Sequence, residues 1–211
     1  MNKMNKLPGK TVERLSEYRR TLLGCLKENR NYIFSHELAA LHHITAVQVR
    51  RDLMLIGYSS VLRKGYGVKE LIDTIGKIID SQDGLNIAII GIGNLGRAVA
   101  AYFKGKRSKL NLVASFDNDL QKVNKVISGV KCYPYQDLER VVKELDIKIA
   151  ILTVPPDYAK EIAEETVRYG IKGILNYTTI PLNVPSTVYL ENYDMTTSIE
   201  KVAYFVKENI I

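Results

Sequence analysis

Apolar positions recur at helical spacing from Thr11 onward, at Val12, Leu15, Tyr18, Leu22 and Leu26, until Asn29-Arg30-Asn31 breaks the pattern. The spacing predicts a long core-building helix. Ser35 is placed to cap a short helix from His36 to about Leu41, and His42-His43-Ile44 makes a tight connection to Thr45. Thr45 and Gln48 have the spacing of a capping box, so a further helix is expected from Ala46 to Gly57, with Ala46, Val49, Leu53 and Ile56 on its buried face. Gln48 and Arg51 should point away from that face, with Arg50 on its flank. Tyr58-Ser59-Ser60-Val61-Leu62 followed by Arg63-Lys64-Gly65-Tyr66-Gly67 reads as a β-hairpin with a basic turn, and Val68 to Asp80 as a helix that buries Leu71, Ile72, Ile75 and Ile79.

After Ser81-Gln82-Asp83-Gly84, a linker, the period changes. Leu85 to Ile90 is an apolar β-type run that flows into Gly91-Ile92-Gly93-Asn94-Leu95-Gly96 and then into a helical pattern, and Asn111 to Asp117 is a second strand. Helices are expected at about Asp119 to Ile127 and Gln136 to Leu145, a strand at Ile147 to Val154, a helix at Asp157 to Arg168, and strands at Gly173 to Asn176 and Thr187 to Glu191. Strands alternating with helices mean a parallel sheet. In the last segment Thr197 and Glu200 repeat the capping spacing, and Ile199, Val202, Ala203, Phe205 and Val206 make a strongly apolar helix. Such a helix packs back on its own domain or docks on another subunit.

With 46% hydrophobic residues, 211 residues can bury one good core or two modest ones. No run approaches the roughly 20 apolar residues of a membrane span, and Met1-Asn2-Lys3-Met4-Asn5-Lys6 has no apolar core for a signal peptide, so a soluble, cytoplasmic protein with no membrane partner is expected. Cys25 and Cys132 lie in different segments without metal-ligand spacing and read as ordinary reduced cysteines, a redox-active pair being the alternative. The net charge of +7 is uneven: residues 1–80 hold 14 Lys/Arg against 8 Asp/Glu, the rest 16 against 15. The N-terminal excess suggests a polyanion partner, where a plain solvated surface is the other reading.

These patterns point to two chemistries. Gly-x-Gly-x-x-Gly between a strand and a helix is the dinucleotide fingerprint: Gly91 turns the chain, Gly93 admits a pyrophosphate, and Gly96 lets helix and strand pack closely. Phosphates then meet the free N–H groups and partial positive charge of the helix N-terminus. Asp117, closing the next strand, would accept hydrogen bonds from the adenosine ribose and repel a 2′-phosphate, which favours NAD or NADH, although Lys122 and Lys125 follow it closely. The bland alternative is a strand-end Asp that starts a turn. Cofactor contacts are expected from Gly91, Ile92, Gly93, Asn94, Leu95, Gly96 and Asp117, with Thr153, Val154 and Pro155 lining the site from the neighbouring strand. In the N-terminal part, two short helices whose second carries Gln48, Arg50 and Arg51 behind Thr45 have the helix-turn-helix arrangement, and the basic turn is a wing. Arg51 suits guanine and Gln48 adenine, whereas Arg63 and Lys64 suit phosphates or the minor groove. A surface helix with solvated arginines is the competing reading.

The residues resemble the Rex family of redox-sensing transcriptional repressors, which join a winged helix-turn-helix domain to a Rossmann NAD(H)-binding domain. The resemblance rests on Arg14-Leu15 and Tyr18, Ile44 through Leu53, the Gly91 to Gly96 turn, Phe116-Asp117-Asn118-Asp119, Gly170 through Asn176, and Glu191-Asn192-Tyr193-Asp194-Met195. It implies an α/β protein of three parts, residues 1–80 binding DNA, 85–194 binding NADH or NAD, and 195–211 forming a helix exchanged within a homodimer. It implies binding to an inverted-repeat operator in double-stranded DNA when NADH is low and release when NADH is high. Arg14, Tyr102 and Asp194 fall where the family places switch residues between domains. Ser16 stands where many members have Pro, and Tyr58 to Leu62 replaces a more glycine-rich wing. The rival class is a small NAD-dependent oxidoreductase. Against it, His36, His42 and His43 all lie in the N-terminal part, Tyr102 and Lys106 come too early for a short-chain dehydrogenase pair, and too little chain follows Thr153 for a usual substrate domain. A coenzyme A module, the third option, would pair poorly with Asp117.

Overall fold

Helical spacing at the start of the chain produces α1 (Gly9–Lys27), whose Leu15, Tyr18 and Leu22 are fully buried while Val12 faces solvent. The computed structural model describes residues 7–59, 64–103 and 109–208. β1 (Tyr32–Ile33), α2 (Ser35–Leu41), α3 (Ala46–Leu55), β2 (Tyr66–Gly67) and α4 (Val68–Ile79) follow. Leu38, Val49, Leu53, Val68, Leu71 and Ile75 close one core against α1, each such side chain contributing about 1.5–3 kcal/mol by leaving water.

The element ends differ from expectation for local reasons. Ser35 is the first residue of α2, not its cap: Phe34 precedes it, donating its N–H to Glu37 Oε2 at 2.7 Å, and the Ser35 hydroxyl accepts from Arg50 Nη1 at 3.1 Å. Thr45 caps α3, its Oγ1 accepting from the Gln48 N–H at 3.1 Å, but the Gln48 side chain turns along the helix to Asp52 instead of back to Thr45. α3 stops at Leu55, short of Gly57, because Gly57 adopts φ +71°. The Gly57 N–H then donates to the Met54 carbonyl at 3.0 Å and the Tyr58 N–H to that of Leu53 at 2.9 Å, a Schellman closure. β2 pairs antiparallel with β1, Tyr32 opposite Gly67 and Ile33 opposite Tyr66, a partner that the sequence reading missed. Most of the expected first strand of the hairpin, with Arg63, lies outside the described residues.

The chain divides into two units between Ser81 and Gln82, inside the expected linker. The second unit runs β3 (Leu85–Ile90), α5 (Asn94–Phe103), β4 (Leu110–Asp117), β5 (Val126–Ile127), β6 (Val130–Pro134), α6 (Leu138–Glu144), β7 (Ile147–Leu152), α7 (Pro156–Arg168), β8 (Gly173–Asn176), β9 (Tyr189–Asn192) and α8 (Met195–Glu208). Its sheet has the order β5-β6-β4-β3-β7-β8-β9, and each neighbouring pair is parallel except β5 with β6. From β6 to β9 this is the doubly wound order, with its reversal at β3. On one face Ala88, Ile90 and Ala150 pack with Leu138 and Val142 of α6 and Ala163 of α7. On the other, Ile87, Ile89 and Ile151 pack with Ala100 of α5, and Leu175 and Tyr177 extend that surface half-buried. The connection between β8 and β9 contains no helix.

The helix expected at residues 119–127 is absent. Asp117 Oδ1 accepts from the Asp119 N–H and Asp119 Oδ1 from the Gln121 N–H, both at 2.9 Å. Side chains that capture nearby N–H groups compete with helix formation. Asn124 at φ +60° ends the segment, and Ser128 and Gly129, also at positive φ, turn the chain into β6, which was not anticipated. At the C-terminus Asp194, not the expected Thr197–Glu200 box, accepts from the Thr196 N–H and the Thr197 hydroxyl, each at 2.8 Å. α8 buries no residue: Ile199, Val202, Tyr204, Phe205 and Val206 are each at least 50% exposed. No described helix is long and apolar enough to cross a membrane.

Candidate nucleotide site and nucleic-acid interface

At the end of β3 the chain must turn sharply between two strands. Gly91 does so at φ +91°, where a Cβ would lie 2.9 Å from both the Thr153 carbonyl oxygen and Val154 Cγ1, and its N–H donates to the Phe116 carbonyl at 2.8 Å. Gly96 is required for a different reason, since a Cβ there would lie 2.3 Å from the Gly91 carbonyl oxygen. Nothing lies within 4 Å of a Cβ built on Gly93, so the space over the N-terminus of α5 is open to a ligand group. Ile92 is fully buried, Leu95 half-buried and Asn94 exposed. Thr153 clamps the turn from β7, its hydroxyl donating to the Gly91 carbonyl at 2.7 Å and its N–H to that of Ile90 at 3.0 Å.

Asp117 braces the same turn. Its Oδ2 accepts from the Ile92 N–H at 3.0 Å and Lys122 Nζ at 3.1 Å, and its Oδ1 from the Asp119 N–H at 2.9 Å. A carboxylate offers about four acceptor positions, so one more hydrogen bond, from a ligand hydroxyl, can be accommodated.

Gly91, Gly93, Asp117, Thr153, Val154 and Pro155 come together in a pocket of about 680 Å³, within the usual range of small-molecule sites. Ile92, Asn94, Leu95 and Gly96 shape the turn without lining that pocket. Tyr135, Tyr158, Ile162 and Glu165, which no sequence motif marks, also line it. Tyr158, Ile162 and Glu165 recur at helical spacing on α7 just behind Pro155, so the helical period there was the available signal. Tyr135 follows the unanticipated β6 and carried none. Its hydroxyl donates to Glu165 in a close hydrogen bond, and burial, with that carboxylate, pushes the phenol pKa up and keeps it protonated.

In the first unit, the buried anchor of α3 is Asp52, which is fully buried. It accepts from Arg14 Nε and Nη2, both at 2.7 Å, from the Tyr18 hydroxyl at 2.9 Å and from Gln48 Nε2 at 3.0 Å. Burial alone would raise its carboxyl pKa, but these donors outweigh it and hold the pKa below the ordinary value. Gln48, expected to face outward, is thus half-buried and bound to Asp52. Arg50 and Arg51 are exposed, as are Thr45 and Lys64. Of the expected switch residues, Arg14 is held by Asp52 within the first unit. Tyr102 is exposed on α5, and Asp194 caps α8. The Thr197 and Thr196 hydrogen bonds lower the Asp194 carboxyl pKa.

Residues 6–53 match the family described as "Putative DNA-binding protein N-terminus", and residues 81–180 the family described as "CoA binding domain". The redox-sensing transcriptional repressor Rex of Carboxydothermus hydrogenoformans is 36% identical over 97% of this chain and 98% of its own. That of Lactobacillus acidophilus is 35% identical over 97% and 98%. Among solved structures, RSP, a Rex-family repressor, in complex with β-NAD+ and operator DNA, superposes with a TM-score of 0.88 at 35% identity, covering 97% of this chain and 94% of that one. RSP in complex with β-NADH gives a TM-score of 0.85 at 34% identity, covering 96% and 95%.

Proposed function

The chain belongs to the Rex family of redox-sensing transcriptional repressors, and from that premise we propose that it holds operator DNA through α3 when NADH is scarce and lets go when NADH fills the pocket at β3, β4 and β7. The observation that carries this reading is the union, in one chain, of a capped helix with exposed Arg50 and Arg51 and a glycine turn open over Gly93. Family membership argues against the oxidoreductase alternative. Arg51 would read a guanine edge. Arg50, Lys64 and the Thr45 hydroxyl would hold phosphates, and Arg63 would join them from the wing.

The NAD(H) pyrophosphate would lie over Gly93 at the start of α5, with the ribose on the remaining acceptor position of Asp117. Val154 and Pro155 offer apolar surface to the nicotinamide end, which favours the uncharged reduced ring over the cationic oxidised one. A homodimer would form by α8 covering the half-buried Leu175 and Tyr177 of a second copy. The switch would be a change of partner by Asp194 between Arg14 and Tyr102. To lower operator affinity tenfold, NADH must prefer the released state by about 1.4 kcal/mol, and operator must weaken NADH binding by the same factor. Such a repressor works in the cytoplasm.

Fluorescence anisotropy of a labelled operator, titrated with NADH, NAD+ and coenzyme A, tests the reading. Release by NADH at concentrations where the other two leave the complex intact is expected. Release by none of them, or turnover of a hydride donor, would overturn it.

A further inference from the structure

α3 presents a different face to solvent from the one its sequence suggests. Val47, Arg51 and Met54 recur at the spacing that stacks side chains in one row, and all three are exposed, Val47 at 48% and Met54 at 71%. They lie opposite Val49 and Leu53, which are buried. Gln48 is one position round from this row and is held on both sides. Its backbone N–H goes to Thr45 Oγ1 and its side-chain amide to Asp52, itself fixed by Arg14 and Tyr18. Swinging Gln48 outward would take a donor from a buried carboxylate.

We infer that Val47, not Gln48, is the specificity partner of Arg51: its isopropyl group packs against the C5-methyl of a thymine in the major groove, close to the guanine that Arg51 reads. Gln48 is a positioning residue that ties α3 to Asp52. The inference rests on α3 entering the groove, as proposed above. The chemistry is specific, because thymine carries the one methyl group that the base pairs present in the major groove. Residues in the N-terminal half of a recognition helix are the ones that meet base edges, and Val47 stands in the first turn of α3. Arg50 and Arg51 on the same helix, both exposed, suit a polyanion and not an apolar protein surface.

Duplexes selected from a random pool by the full chain with NAD+ supply the half-site, and each thymine is then replaced singly by deoxyuridine, which deletes only the methyl. At one thymine near the Arg51-dependent guanine, wild type should lose about fourfold in affinity, the value of one buried methyl-sized group. Val47→Ala should lose nothing further there, while Val47→Ile should keep the sensitivity. Gln48→Ala should weaken all duplexes by a common factor. The inference is overturned if no thymine separates wild type from Val47→Ala, or if Gln48→Ala relaxes the choice at an A·T pair. Failure to enrich any duplex overturns the groove reading itself and this inference with it, a result distinct from normal enrichment without methyl sensitivity.

Discussion

Replacing Asp52 by Asn tests the internal frame of the first unit. Asp52 is 0% exposed and takes two hydrogen bonds from Arg14 at 2.7 Å, one from Tyr18 at 2.9 Å and one from Gln48 at 3.0 Å. Removing one partner of a buried ion pair costs about 3–5 kcal/mol. The Arg14 side chain is 23% exposed and can regain some hydration, which places the expected loss near 3 kcal/mol. With a urea dependence of about 1–3 kcal/mol per molar, that loss moves the unfolding midpoint down by roughly 1–3 M. The full-length protein, followed by far-UV circular dichroism, should show this in the transition of the first unit alone, since two units need not unfold together. Acid adds a second readout. The folded Asp52 carboxyl titrates below its ordinary value, so its stabilisation is complete above the unfolded value of about 4 and is lost as pH falls through the folded one. Asp52→Asn should lack that acid-dependent component. An unchanged midpoint, or identical acid profiles for both proteins, would refute the role given to this carboxylate.

Other substitutions separate shape from binding at the nucleotide turn. Gly96→Ala forces a methyl against the Gly91 carbonyl and should cost roughly 1–3 kcal/mol, read as a lower melting temperature of the second unit. Gly93→Ala meets open space, so melting should stay unchanged while calorimetry shows NADH binding lost; retained affinity would count against the pyrophosphate placement. Asp117→Ala should weaken NADH by roughly 1–3 kcal/mol, and unchanged calorimetric affinity would sink the ribose assignment. Deleting residues 196–211 should break or loosen the dimer in sedimentation, whereas a compact truncated dimer would disprove exchange of α8.

The sequence was most legible where period and stereochemistry agree. The turn at Gly91 could be read because only glycine accepts its left-handed backbone, and at Gly96 because any side chain would strike the Gly91 carbonyl. The buried row of α3 was legible from Val49 and Leu53, but the orientation of Gln48 was not, because it depends on Asp52, whose burial arises only when α1 packs against α3. Residues 119–127 misled for another reason: the apolar spacing there is overridden by Asp117 and Asp119 capturing backbone N–H groups. With that segment went β6, and with β6 the pocket residue Tyr135. β1 and β2 are too short to show any period.

Leu175 and Tyr177 stay half-buried on the sheet face that packs with α5, and among the described residues α8 buries none of its apolar side chains. If each supplies what the other lacks across two copies, folding is partly a bimolecular event. Mass action then enters the stability itself: dilution alone lowers the melting temperature, and newly made chains at low abundance spend longer with sticky surface exposed. The amount of repressor in the cell would thereby set how much of it is competent, independently of the redox signal that it senses.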